Sequence, residues 1–208
     1  MRVKGELTLK NIIDAKIPVF DFTGEWFEAF GKPQRNGVWF IFGNSGHGKT
    51  SFILMLIKQL VNFSNVLFVS YEEGDKSVPL QDGIKRFGLL EANNKVSVCT
   101  KNKGELEERL NNKRSPDVVI IDSLDASEFK RVEQVVALRN SFKNKLFIFT
   151  GWAKGKEPAR RIGEDVLFMA NQKIWVEGHR AISRGRSFGE RGYLTIWDKE
   201  ASKYWEYK

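Results

Sequence analysis

The sequence predicts an α/β protein: a mostly parallel central sheet flanked by helices, with antiparallel strands at its C-terminal edge. Three observations carry this expectation. Between residues 38 and 150, continuous apolar runs of strand length alternate with helical segments, the pattern of strands buried on both faces. The first run opens into Gly43-Asn44-Ser45-Gly46-His47-Gly48-Lys49-Thr50, a glycine-rich loop leading into a helix. After residue 165 the runs become short, aromatic and separated by glycine and charged turns, as hairpins are. At 208 residues the chain is long enough to bury a sizeable core,.

Residues 1–36 read as a lead-in or arm, and residues 37–208 as the main unit of a single-domain chain. Leu7 to Ile13 form a weak strand or arm. Thr23 to Gly31 form a short amphipathic helix, capped by Thr23 and stopped by Gly31,. Pro33 to Gly37 is a turn. Then come strand 38–42, helix 50–62, strand 66–71, helix 79–87, strand 95–99, helix 105–111 and strand 117–121. Phe129 to Phe142 mark an amphipathic helix, and Lys145 to Thr150 are another buried strand. Ile174-Trp175-Val176, Tyr193 to Trp197 and Tyr204 to Tyr207 read as antiparallel edge strands. No internal repeat and no Pro/Gly/Ser-rich linker interrupts the chain.

Composition narrows the class. Hydrophobic residues make up 41% and charged residues 29%, as in soluble globular proteins. No stretch reaches the roughly 20 apolar residues that span a bilayer, and no apolar signal region opens the chain. A cytoplasmic address is the expectation. The single cysteine, Cys99, excludes an intramolecular disulfide and a cysteine-based zinc cluster,. His47 and His179 are the only histidines, too few for a histidine metal cluster,. The net charge is +8, and residues 151–208 hold 12 Lys/Arg against 8 Asp/Glu. That density suits a polyanion partner or a bound nucleotide equally.

The chemistry starts at Gly43 to Thr50, which spells G-x-x-x-x-G-K-T between an apolar strand and an apolar helix. Its glycines let successive backbone N–H groups turn inward onto phosphate oxygens. The following helix adds its positive end. Lys49 is placed to reach the β- and γ-phosphates, and the Thr50 hydroxyl to hold Mg²⁺. Ser51 completes the phosphate-binding stretch 43–51. A metal site needs an acid, and Asp122 ends the strand Val118 to Ile121 as a Walker-B aspartate would, at the carboxyl end of a central strand next to the P-loop,. Glu72 and Glu73 end the strand after the P-loop helix, where a carboxylate can orient or deprotonate the attacking water. Adjacent side chains alternate across a strand, so one of the two faces the nucleotide.

These residues resemble a family. The order is P-loop, a strand ending Ser70-Tyr71-Glu72-Glu73, a strand ending Asp122-Ser123, and a strand ending Thr150-Gly151-Trp152-Ala153-Lys154. It resembles the RecA-like P-loop NTPase superfamily, in particular its RadA, KaiC and DnaB-type core, over roughly residues 22–190. The resemblance implies ATP as the nucleotide, Glu72 as the catalytic glutamate with Glu73 as understudy, and γ-phosphate sensing at Thr150 to Lys154. Arg184-Gly185-Arg186-Ser187-Phe188-Gly189 weakly resembles the RadA Lys-Asn-Arg-Phe-Gly motif, with Arg184 and Gly185 in place of the Lys-Asn pair. It implies that Arg184 or Arg186 reaches a neighbouring subunit's nucleotide in a homo-oligomeric ring or filament. No counterpart of the family's zinc finger, protease-like domain or helicase amino-terminal domain is expected in this sequence.

Lys154, Lys156, Arg160 and Arg161 crowd the segment after strand 145–150, where Gly155 and Pro158 oppose a regular helix,. In RecA-like proteins this loop lies near the central channel. The cations read as contacts to single-stranded DNA, as a γ-phosphate stabiliser, or as a solvated charged loop. Phe40, Phe42, Phe68, Phe147 and Phe149 lie inside strands and are core candidates, and Trp152 is read as packing rather than base stacking. His47 faces solvent or the nucleotide, without a catalytic role.

The expectation is therefore a Mg²⁺-dependent ATPase acting on DNA in recombination, repair or replication, as a motor or loader. The alternatives are an ATP-dependent assembly scaffold without DNA and a P-loop phosphotransferase.

Overall fold

Neighbouring residues of the apolar strands face opposite layers of packing. Along β1 (Gly37–Gly43), Trp39 and Ile41 join one buried cluster, while Val38, Phe40 and Phe42 join another. β4 (Val118–Asp122) repeats this, with Val118 and Ile120 on one face and Val119 and Ile121 on the other. Both strands are buried because helices cover both faces, which is why they read as unbroken apolar runs. The computed structural model describes residues 5–185 and 188–206.

The elements run α1 (Leu9–Ile13), α2 (Gly24–Phe30), β1, α3 (Lys49–Leu60), β2 (Val66–Ser70), α4 (Val78–Arg86), a 3₁₀ turn (Leu89–Ala92) and β3 (Val96–Cys99). They continue with α5 (Lys103–Asn111), β4, α6 (Val132–Ser141), β5 (Leu146–Lys154), β6 (Glu157–Pro158) and α7 (Arg161–Met169). β7 (Gln172–Glu177), β8 (Arg180–Ser183), β9 (Tyr193–Thr195) and α8 (Asp198–Glu206) follow. The sheet order is β3-β2-β4-β5-β1-β7-β8-β9, with β6 paired to β5. From β3 to β7 every pairing is parallel, and β8 and β9 add antiparallel.

The expected α/β architecture is present, with differences at both ends. Ile174-Trp175-Val176 belongs to β7, which pairs β1 in parallel instead of forming a hairpin edge. The antiparallel edge begins one strand later, at β8, whose short run Arg180–Ser183 carries little strand signal of its own. Tyr204 to Glu206 lie in α8, not in a strand, and Tyr207 lies outside the described residues. Aromatic content favours strands, but the side chains here are spent at helical spacing. Ala201 is buried, Trp205 Nε1–H donates to Gly178 O at 3.0 Å, and the Tyr204 hydroxyl donates to Glu177. Leu9–Ile13 form a one-turn helix whose capping box joins Thr8 and Asn11,. Thr23 precedes α2 as expected, but its side chain makes no cap hydrogen bond.

The lead-in also contributes to the core. Phe20 and Phe22 are fully buried, with ring centroids 5.8 Å from Trp39 and Phe63 respectively. Burying each such ring is worth about 1.5–3 kcal/mol. The Arg35 guanidinium lies 5.4 Å from the Phe20 ring centroid and donates to Phe63 O, which fastens this aromatic group to the end of α3. No helix among the described residues is long and apolar enough to cross a membrane.

Candidate functional site

The carboxyl ends of the parallel strands converge on one cavity of about 1060 Å³, where α/β sheets place their ligands. Its wall contains Gly43 to Gly46, Gly48 to Ser51, Glu72, Glu73, Asp122 and Trp152. Residues far apart in the chain meet there because β1, β2, β4 and β5 all end on the same side.

The loop after β1 has the geometry its glycines require. Gly46 and Gly48 hold φ of 79° and 96°, in the left-handed region that glycine enters without strain. Gly43 is needed for a different reason: a Cβ there would stand 2.4 Å from Val176 O. No side chain caps the first turn of α3, so its N–H groups remain available to an anion.

His47 is the loop residue absent from the cavity wall. Its Nδ1 accepts the Gly178 N–H at 2.9 Å, and its carbonyl accepts the His179 N–H at 3.2 Å. The side chain therefore points to the β7–β8 turn, contrary to the sequence reading of solvent or nucleotide. The reason is that the turn packs directly behind the loop. The loop thus offers backbone, not imidazole, to a phosphate.

Asp122 is 5% exposed and its strand is not the neighbour of β1, because β5 runs between them. Burial pushes its carboxyl above the ordinary value of 3.8, against the Thr150 hydroxyl that donates to it and the nearby Lys49 charge. A carboxylate buried with so little compensation suits a cation beside it. Thr50 lines the same cavity. No group of three or more His, Cys, Asp or Glu side chains is arranged to hold a metal ion among the described residues. The fit is with Mg²⁺, which takes one or two protein oxygens and completes its shell with phosphates and water. Glu73 is also pushed upward, by burial first, then by Asp122 and Glu72.

The raised Asp122 gives a pH prediction. Its carboxyl is easier to ionise unfolded than folded, so ligand-free folding takes up a proton. Stability falls as pH rises from the ordinary aspartate value into the raised range. Asp122→Asn should flatten this slope and leave the ligand-free protein at least as stable at neutral pH. The melting rise produced by MgATP should shrink in the same variant. Differential scanning fluorimetry from mildly acid to neutral pH, with and without MgATP, checks both; a variant that melts lower and keeps its MgATP response would contradict the metal role.

Outside the predicted residues, the cavity wall includes Arg86, Phe87, His179, Ile196 and Trp197. His179 and Trp197 meet edge to face, 5.6 Å between centroids, and Trp197 is 54% exposed. Sequence reasoning missed these residues because α4, the β7–β8 turn and the β9–α8 junction meet the loop only in three dimensions.

The basic residues separate into two groups. Lys154, Lys156 and Arg161 are exposed around the β5–β6 hairpin, without an ion pair among the described residues. Arg160 is instead held by Asp125, with Nε 3.5 Å from Oδ1, and its guanidinium lies 5.2 Å from the Trp152 ring centroid. Trp152 is 38% exposed; it lines the cavity where core packing was expected. Arg184 is tied to its own chain, lying 4.3 Å from the Trp175 ring centroid and donating to Lys156 O at 2.7 Å. Arg186 lies outside the described residues.

A family model described as an AAA domain, AAA_24, matches residues 35–203. The chain belongs to the AAA_24 family. The fold is similar to that of a KaiC-like protein from Pyrococcus horikoshii, with a TM-score of 0.61 at 19% identity over 86% of this chain and 98% of the other. It is also similar to the flagellar accessory protein FlaH from Methanocaldococcus jannaschii, with a TM-score of 0.59 at 16% identity over 86% and 92% of the two chains. No curated protein matches by sequence. The family match and these two similar folds agree with the expected RecA-like P-loop ATPase superfamily.

Proposed function

We propose that this AAA_24 protein binds MgATP in the strand-end cavity and hydrolyses it, in an oligomer, to act on single-stranded DNA. The observation that carries the reading is the convergence of Lys49, Thr50, Asp122 and Glu72 on one cavity. The loop and the first turn of α3 hold the phosphates. Thr50 and Asp122 hold Mg²⁺, which when bound supplies charge neutralisation at the phosphates. Lys49 stabilises charge on the transferred phosphoryl group. Glu72 takes the proton from the attacking water, with Glu73 beside it. The wall of Phe87, Ile196 and Trp197 supplies an apolar seat for the base.

The DNA part of the reading rests on the hairpin and the start of α7, where Lys154, Lys156 and Arg161 are exposed. The hairpin is also joined to the phosphate loop, since Asn44 Nδ2 donates to Gly155 O at 3.2 Å. Replacing Lys154, Lys156 and Arg161 with Ala should weaken binding to oligodeoxythymidylate and reduce the salt slope by about two to three. Fluorescence anisotropy across a salt series measures both. An unchanged affinity and slope remove the hairpin from DNA binding.

A second reading, an ATP-driven assembly switch without DNA, is favoured by α1, whose Leu9 and Ile13 are each 83% exposed. Light-scattering mass with and without MgATP, in wild type and Glu72→Gln, separates the readings. Assembly in both forms, with hydrolysis indifferent to DNA, selects the switch.

A further inference from the structure

Trp152 stands where the proposed base and the basic hairpin meet. β5 pairs with β4 only as far as Phe149 and continues beside β1, so Trp152 lies level with Gly43. The residue is fastened through its backbone: its N–H donates to Asp125 Oδ2 at 2.7 Å, and its carbonyl accepts the Ala159 N–H at 2.8 Å. The same Asp125, 8% exposed, anchors Arg160, whose Nη1 donates to Asp125 O at 3.3 Å while the guanidinium covers the indole. A tryptophan ring under a guanidinium is a favourable cation–π contact. The ring is thereby set in direction, and its Nε1–H donates to Glu72 Oε2 at 3.1 Å.

The Glu72 side chain is exposed, two residues past the end of β2. Among the described residues, the Trp152 indole supplies its one side-chain hydrogen bond. An exposed glutamate otherwise samples several rotamers, and a general base must be held on its water. Core packing does not account for Trp152, because the ring borders the cavity.

We propose that Trp152 is a positioning residue for Glu72, with Asp125 and Arg160 setting the indole that holds the carboxylate. This rests on the reading of Glu72 as the base. The proposal concerns an interaction made with the acid, not with phosphate, so it should appear in kcat and not in ATP affinity.

The test is steady-state ATP hydrolysis by wild type, Trp152→Phe, Glu72→Gln and the double variant, with ATP affinity and melting temperature alongside. Trp152→Phe keeps an aromatic ring under Arg160 and removes the N–H. It should lower kcat roughly tenfold to a hundredfold, the value of a hydrogen bond to a charged group, with ATP affinity near wild type. In the Glu72→Gln background the same substitution should cost little, because the carboxylate it orients is gone. Arg160→Ala leaves the indole in place but loosens it, and should lower kcat in the same direction by less. If Trp152→Phe turns over like wild type beside an impaired Glu72→Gln, the positioning role fails and the base assignment stands. If Glu72→Gln itself hydrolyses normally, the base assignment fails and the positioning role with it. A Trp152→Phe loss that persists in full without Glu72 would make the residue a scaffold and overturn the proposal.

Discussion

Glu72→Gln is expected to lower kcat by roughly a hundredfold to ten-thousandfold, the range supplied by general base catalysis. ATP binding should survive, because in the proposed site the phosphates would be held by the loop after β1, by Lys49 and by Mg²⁺ at Thr50 and Asp122. The variant should therefore bind ATP and remain in the loaded form. Phosphate release gives kcat, and titration with a fluorescent ATP analogue gives affinity. The neighbouring acid makes the test sharper. Glu73 is more buried, and its carboxyl is pushed upward by that burial, by Asp122 and by Glu72. Glu73→Gln removes a charge from a crowded group and should cost less than Glu72→Gln. The reverse ranking would move the base to Glu73.

Lys49→Ala should show the other signature: weaker binding as well as slower turnover. In the proposed role the ammonium would neutralise phosphate charge in the ground state and more strongly in the transition state, where charge shifts toward the departing group. Removing a preorganised charge partner of this kind costs about a hundredfold to a thousandfold in rate. Stabilisation by ligand should fall with it. A ligand at a hundred times its dissociation constant stabilises the fold by about 2.7 kcal/mol, and most of that should vanish at the same ATP concentration. Thermal shift with MgATP and steady-state kinetics read the two effects separately. A Lys49→Ala protein with a full thermal response and wild-type turnover would place the nucleotide elsewhere.

The buried strands were legible because burial on both faces forces a continuous apolar composition, and β1, β2, β4 and β5 all have it. The phosphate loop was legible because its chemistry is local: glycines, a lysine and a threonine at set spacing around one turn. Asp122, Glu72 and Glu73 could be located as strand ends, since parallel strands deliver their carboxyl ends to one side. Edge elements were less legible. Tyr204 and Trp205 have the composition of a strand, yet they serve α8 by reaching Glu177 and Gly178. Trp175 sits in a parallel strand because β1 had a free side, a fact that no local pattern carries.

By itself, the sequence determined the α/β class, the glycine-rich strand–loop–helix, and the acids near the strand ends, because each depends on periodicity or spacing within a few residues. Only the tertiary structure decided the rest. It turned His47 away from the cavity onto the β7–β8 turn, drew Arg160 from the exposed cations to Asp125, and set the Trp152 indole on Glu72. Those are contacts between groups 35 to 131 positions apart in the chain. They exist only once the sheet order has brought the strand ends together, and nothing local specifies them.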